Sequence, residues 1–233
     1  MKPAERAPAT APPYRDRAQA GRRLAEALAE RRGEAGLLVL GLPRGGVAVA
    51  HEVAQALQAP LDIWVVRKLG LPGQPELAMG AIASGGVRVM NPLPGLEVSP
   101  EAMARVLSQE EAELVRREQL YRGAHPPAEV TGRPVLLVDD GLATGATMRA
   151  AALAVRAKHP RRLTVAVPVG SRQGCASLAE VADDVVCPLQ PEPFGAVSLW
   201  YAHLPQASDE EVQQFLDDAW RLRRQSRRGR TQR

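Results

Sequence analysis

Lysine is almost missing from this chain of 233 residues: only Lys2, Lys68 and Lys158 occur, against 27 arginines. A lysine here is therefore an exception, and Lys68 stands where an apolar run gives way to a loop. Cysteine is as scarce, with Cys175 and Cys187 alone and no metal-ligand spacing between them. That excludes a disulfide framework or a zinc module and reads as two free buried thiols in a reducing, cytoplasmic setting. Aromatics make up 3% of residues. No run approaches the roughly 18 consecutive apolar residues of a membrane span, so no membrane partner is expected. The opening MKPAERAPATAPPYR has no apolar signal core, which agrees with a cytoplasmic protein.

Acid is missing from one place in particular. The segment RLRRQSRRGRTQR, residues 221–233, holds seven arginines and no carboxylate, while the whole chain carries +4. Without those seven the charge is −3, so the basicity is local. Residues 222–233 are expected to be a basic disordered tail, since they have little to bury. A weak polyanion contact through them is conceivable chemistry, and a solvated basic end is the plainer one. Residues 1–13, rich in Pro and Ala, are expected to be flexible.

What is present suits one α/β domain over residues 14–221, with 45% hydrophobic content to build its core. A helix is expected from about Tyr14 to Arg32. LLVL (37–40), LDIWVV (61–66), VLLV (135–138) and LTVAVPV (163–169) read as strands, with a further one near 185–187. They are continuous apolar runs, as in parallel sheets covered on both faces. VAVAHEVAQAL (47–57) reads as a helix, 67–77 as a long Gly/Pro loop, and 78–90 as a hairpin around Ser84-Gly85-Gly86. Ser99-Pro100-Glu101 starts a helix that runs to about Tyr121. Helices are also expected from Thr147 to about His159 and near 172–181. Ser208 and Glu211 form a capping box before a last helix ending near Arg221. The expected fold is a mostly parallel sheet flanked by helices on both faces, with an N-terminal helix and a C-terminal helical extension.

VLLVDDGLATGAT, Val135 to Thr147, carries the chemistry. A buried strand runs into two adjacent acids, and ligands of open parallel sheets lie beyond such strand ends. One Asp there can simply cap the next helix. A second acid makes sense if both accept hydrogen bonds from ligand hydroxyls, as a vicinal diol offers, or if a cation lies near. Ala143-Thr144-Gly145-Ala146-Thr147 then supplies small side chains, two hydroxyls and a helix N-terminus, which favour an anion. Together they describe a site for a ribose 5-phosphate. GxxxxGK[ST] and GxGxxG are both absent, so this is not an ordinary nucleoside-triphosphate or dinucleotide loop.

The same stretch resembles the signature of the type I phosphoribosyltransferases, which use 5-phosphoribosyl 1-pyrophosphate (PRPP). LGLPRGGVAVA resembles their pyrophosphate loop, and RKLGLPGQPELAMGAI their second loop. The likeness spans about residues 35–170. It is similar in particular to bacterial members whose acceptor is unassigned, and PFGAVSLWYAHLPQASDEEV shares that likeness.

The resemblance implies roles. Asp139 and Asp140 would hold the ribose 3- and 2-hydroxyls, and Ala143, Thr144, Gly145, Ala146 and Thr147 the 5-phosphate. Arg44, Gly45 and Gly46 would bind pyrophosphate in a loop that often carries a cis peptide. Arg67 and Lys68 would stabilise the leaving group. Mg²⁺ would arrive with PRPP, without a protein metal cage. Phe194, Trp200 and Tyr201 are candidates for an acceptor lid, though they can equally pack the C-terminal extension. Glu76 is either a base or a loop acid. The implied activity is transfer of the phosphoribosyl group to a nitrogenous acceptor. The alternative is a PRPP- or nucleotide-sensing nucleic-acid-binding regulator on the same fold. Assembly as a homo-oligomer stays open.

Overall fold

The computed structural model describes residues 12–90, 98–123 and 125–230, without the side chains of 75, 76, 78 and 222–230. Five strands form a parallel sheet: β1 (Leu38–Gly41), β2 (Leu61–Ile63), β6 (Pro134–Val138), β7 (Arg162–Ala166) and β8 (Asp184–Val186). Their spatial order is β2-β1-β6-β7-β8, and every pair is parallel. Leu38↔Val135 through Gly41↔Val138 set β1 and β6 side by side, so the segments that follow them emerge together.

Strand residues alternate between two cores, as the two-residue period requires. Val39, Leu136 and Val138 join one core with α1 (Arg17–Ala27), α2 (Gly45–Leu57) and α6 (Asp209–Arg230). Leu38, Leu40, Val135 and Leu137 join the other with α4 (Ala146–Arg156). This layering explains why the strands are apolar throughout. No described helix is long and apolar enough to cross a membrane.

The expected loop over 67–77 is instead two strands. β3 (Val66–Leu71) and β4 (Gln74–Ala83) are antiparallel, and β5 (Val87–Met90) completes a second, three-stranded sheet. Leu71 pairs with Gln74, so Pro72 and Gly73 are a two-residue turn. Gly73 has φ +80°, a value glycine adopts freely. The Pro-Gly pair marks the tip of a hairpin and not a long loop. The expected strand 61–66 divides for the same reason: Leu61–Ile63 stays in the parallel sheet and Val66 opens the second. The hairpin at Ser84-Gly85-Gly86 is present.

Other boundaries shift. The first helix is shorter than expected and begins at Arg17, because the Asp16 carboxylate accepts from the Gln19 N–H. A 3-10 turn, Ala29–Arg31, follows it. α3 spans Pro100–Arg122 with Ser99 as its cap. α5 is only Arg172–Ala176. Ser208 and Glu211 bond reciprocally at the start of α6. That helix continues to Arg230, past the expected end near Arg221. Arg and Gln favour helix, so a lack of apolar residues does not stop it. The remainder of the expected terminal flexibility, 1–11 and 231–233, lies outside the described residues.

The two cysteines, distant in sequence, meet in space. A Cβ added at Gly170 would lie 2.9 Å from the Cys175 sulfur and 3.2 Å from that of Cys187. Both are free; Cys175 is buried and Cys187 half-buried.

Candidate active site

β6 ends at Val138 and delivers Asp139 and Asp140 beyond the sheet edge. β1 ends beside it, and Leu42 donates its N–H to the Val138 carbonyl at 2.9 Å. The chain then makes a cis peptide between Pro43 and Arg44 and enters α2 at Gly45. This turn lies directly against the acids. A Cβ at Gly45 would stand 2.1 Å from Asp140 Oδ2, and one at Gly46 would stand 2.7 Å from Asp139 Oδ1. Real Cβ contacts do not come that close: at Gly46 the backbone of Val138 and Asp139 leaves room for glycine alone, and at Gly45 a side chain would have to push Asp140 and Arg17 aside. The acid pair and the PRGG turn, read separately in the sequence, are one site.

The two carboxylates differ. Burial first, then the Asp140 charge, raises the Asp139 carboxyl well above the usual carboxylate range. Asp140 faces a cation, with Arg17 Nε at 2.8 Å from its Oδ2. Asp139 Oδ1 also accepts the Asp140 N–H at 2.9 Å.

Past the acids, Ala143, Thr144, Ala146 and Thr147 are exposed around a buried Gly145. Gly145 caps α4 with φ +81° and has no side chain to bond the first helical N–H groups; the Ala146 N–H makes only a long bond, 3.4 Å, to the Thr144 hydroxyl. Those groups and the helix dipole favour an anion there. Beside this turn lies a cavity of about 410 Å³ lined by Pro43, Arg67, Lys68, Arg117, Thr147 and Arg149 among others. Four cations and no acid line it. Arg67 is held by Glu110 at 2.6 Å, Arg117 by Glu113 at 2.7 Å and Arg149 by Glu180 at 3.2 Å. Arg116 and Arg117 hold the Glu113 carboxyl down at about 2.

The aromatic segment divides. Tyr201 is buried, its ring 5.5 Å from that of Tyr14, and its hydroxyl donates to the Asp140 carbonyl at 2.5 Å. Trp200 is half-buried, donates its indole N–H to the Phe194 carbonyl at 3.0 Å and stacks with that ring at 6.4 Å. Tyr201 thus bonds the acid strand end, while Phe194 and Trp200 pair with each other and pack, half-buried, on the cluster that holds Tyr14 and Tyr201. The Glu76 side chain lies outside the described residues. Three arginines, Arg17, Arg117 and Arg149, join this region without a local sequence signal.

Residues 14–198 match the family described as Phosphoribosyl transferase domain. The chain belongs to that family. Over 210 residues it is 49% identical to a Mycobacterium tuberculosis H37Rv protein named "Putative phosphoribosyl transferase Rv0571c", covering 89% of this chain and 47% of that protein. The counterpart in strain CDC 1551, MT0597, gives the same figures. The chain spans about half the length of the curated relatives it matches. The crystal structure of TT1426 from Thermus thermophilus is 44% identical, with a TM-score of 0.79, covering 87% of this chain and 97% of that one. Membership in the phosphoribosyl transferase family accounts for the strand, acid pair and TGAT turn occurring together. The match begins at Tyr14 and so takes in α1 and Arg17.

Proposed function

We propose that this chain is a Mg²⁺-dependent phosphoribosyltransferase that moves the 5-phosphoribosyl group from PRPP to a nitrogenous acceptor and releases pyrophosphate. The observation that carries this is the contact of Gly45 and Gly46 with Asp140 and Asp139. That contact joins the acid pair to the glycine turn, and Pro43 of the same turn lines the cationic cavity, which supports reading them as one site. In this reading residues 14–221 act as one unit.

Asp139 and Asp140 take the ribose 3- and 2-hydroxyls. The turn Ala143 to Thr147 takes the 5-phosphate through backbone N–H groups and the Thr144 and Thr147 hydroxyls. Arg44, Gly45 and Gly46 take the pyrophosphate, with Arg67 and Lys68 facing it across the cavity. The acceptor nitrogen forms its bond to C1 as the C1–O bond breaks, and the electron pair leaves with pyrophosphate. Fixed cations stabilise charge that grows on that leaving group. Holding donor and acceptor in line supplies the rest.

Among the described residues no group of three His, Cys, Asp or Glu side chains can hold a metal ion. Two adjacent carboxyl groups, Asp139 and Asp140, would suit an ion whose other ligands are substrate oxygens. Bound with PRPP near Asp139 and Asp140, Mg²⁺ would neutralise charge on the pyrophosphate.

The test is a screen of bases and small amines for PRPP-dependent pyrophosphate release with Mg²⁺ present. Release with one acceptor class supports transfer. PRPP binding without release under any acceptor favours a PRPP sensor instead.

A further inference from the structure

The N-terminal helix reaches into the site, and nothing in the sequence foretells it. Arg17 is the first residue of α1. Its Nε lies 2.8 Å from Asp140 Oδ2, and its Nη1 donates to the Pro205 carbonyl at 2.6 Å. Among the described residues, Arg17 is the only side chain bonded to the Asp140 carboxylate. The pair is withdrawn from solvent, with side-chain exposures of 15% and 19%. Screening is weaker there than at a surface, and the orientation of each group is more tightly held.

Arg17 is itself fixed. Asp16 caps α1 through the Gln19 N–H at 2.8 Å. One turn on, α1 crosses α2 so closely that a Cβ at Gly21 would meet Glu52 Cβ at 2.7 Å and the Val49 carbonyl at 2.9 Å. α2 is the helix that begins with Gly45 and Gly46. The guanidinium therefore stands on the same rigid pair of helices as the PRGG turn. A Cβ at Gly45 would lie 2.9 Å from Arg17 Nε as well as 2.1 Å from Asp140 Oδ2, so the three groups share one point.

We propose that Arg17 is a positioning residue for ribose recognition: it fixes Oδ2 of Asp140 and thereby aims the remaining carboxylate oxygen at a ribose hydroxyl. This rests on the reading of Asp139 and Asp140 as the diol site. A carboxylate with one oxygen tethered has lost most of its torsional freedom before the ligand arrives. Its hydrogen bond to a hydroxyl is then formed with little further ordering. Arg does this better than Lys, because the planar fork holds Asp140 and Pro205 at once.

The consequence is selectivity for the hydroxyl, not general affinity. Binding of ribose 5-phosphate and of 2-deoxyribose 5-phosphate is measured by calorimetry on the full chain and on Arg17→Met, Arg17→Gln, Asp140→Asn and the Arg17→Met/Asp140→Asn double variant. The unaltered protein should prefer the ribose sugar by about tenfold or more, as a hydrogen bond to a charged group implies. Arg17→Met should bring that preference down to about threefold or less and leave the affinity for the deoxy sugar unchanged. Asp140→Asn should abolish the preference, and adding Arg17→Met to it should change nothing further. Arg17→Gln, which keeps one donor, should fall between and decides the matter if the Met variant does not fold. A full preference retained in the folded Arg17 variants overturns the proposal, as does an equal loss for both sugars. Absence of any preference in the unaltered protein would instead sink the diol site itself.

Discussion

The α-carbon of Gly45 lies so close to Asp140 that a Cβ there would sit 2.1 Å from the carboxylate oxygen. The glycine turn and the acid have no spare volume between them. Gly45→Ala must therefore displace Asp140 or the turn. The expected outcome is a folded protein whose PRPP affinity falls about tenfold or more, equal to about 1.4 kcal/mol. Calorimetry checks it, with circular dichroism for the fold. Undiminished affinity would mean that the turn yields freely and does not set the site.

Asp139 ties stability to pH. Its folded value is raised by burial and by Asp140, so the folded protein keeps a proton that the unfolded chain releases above the ordinary Asp range. Between that range and the raised value the folded state binds more protons, and stability falls as pH rises. Asp139→Asn should remove this slope and raise stability at neutral pH. Denaturant midpoints from about pH 5 to about pH 8 test the sign. An amide also imitates a protonated acid, so Asp139→Asn should weaken ribose 5-phosphate binding less than Asp140→Asn does.

Asp62 and Arg122 pair in the interior where β2 meets the end of α3, and Arg122 also donates to the Ile63 carbonyl at 2.8 Å. Asp62 accepts the Ala128 N–H at 2.7 Å as well. Arg122→Met leaves that carboxylate buried without its cation, at a cost of about 3–5 kcal/mol. Chemical unfolding should show the loss. A change under about 1 kcal/mol would mean that water replaces the guanidinium.

The two adjacent aromatics should separate by role. Tyr201→Phe removes the bond to the Asp140 carbonyl and should cost about 0.5–1.5 kcal/mol of stability. Trp200→Ala should raise the KM for an acceptor and leave PRPP affinity nearly unchanged, if the Phe194–Trp200 pair borders the acceptor. Steady-state kinetics with thermal unfolding distinguishes these results. Lost stability with unaltered acceptor kinetics in Trp200→Ala would assign both rings to packing.

Much of this architecture is legible in the chain because its signals are local. Leu38 to Leu40 and Val135 to Val138 are uninterrupted apolar runs, and both are strands of the parallel sheet. Ser99 with Pro100, and Ser208 with Glu211, announce helix starts that the hydrogen bonds bear out. What escapes is either ambiguous or distant. Pro72-Gly73 signals a turn, but the segments on either side become strands only through pairing with each other. Arg17 and Asp140 are 123 residues apart, and no periodicity links them. Arg117 and Arg149 look like ordinary charged helix faces until β3 brings Arg67 and Lys68 to the same cavity. The glycines at 45 and 46 mark a turn in the sequence, yet what crowds them, the acids of another strand, appears only in three dimensions.

The most direct measurement is calorimetric binding of PRPP with Mg²⁺ to the unaltered chain and to the Asp139→Asn/Asp140→Asn double variant, each shown to be folded. The unaltered chain should bind PRPP, and the double variant should lose about tenfold or more in affinity, since a charged acceptor contributes on the order of 1.5–3 kcal/mol. Equal affinity in the two proteins would contradict it, because the acids at the end of β6 would then not be what reads the ribose.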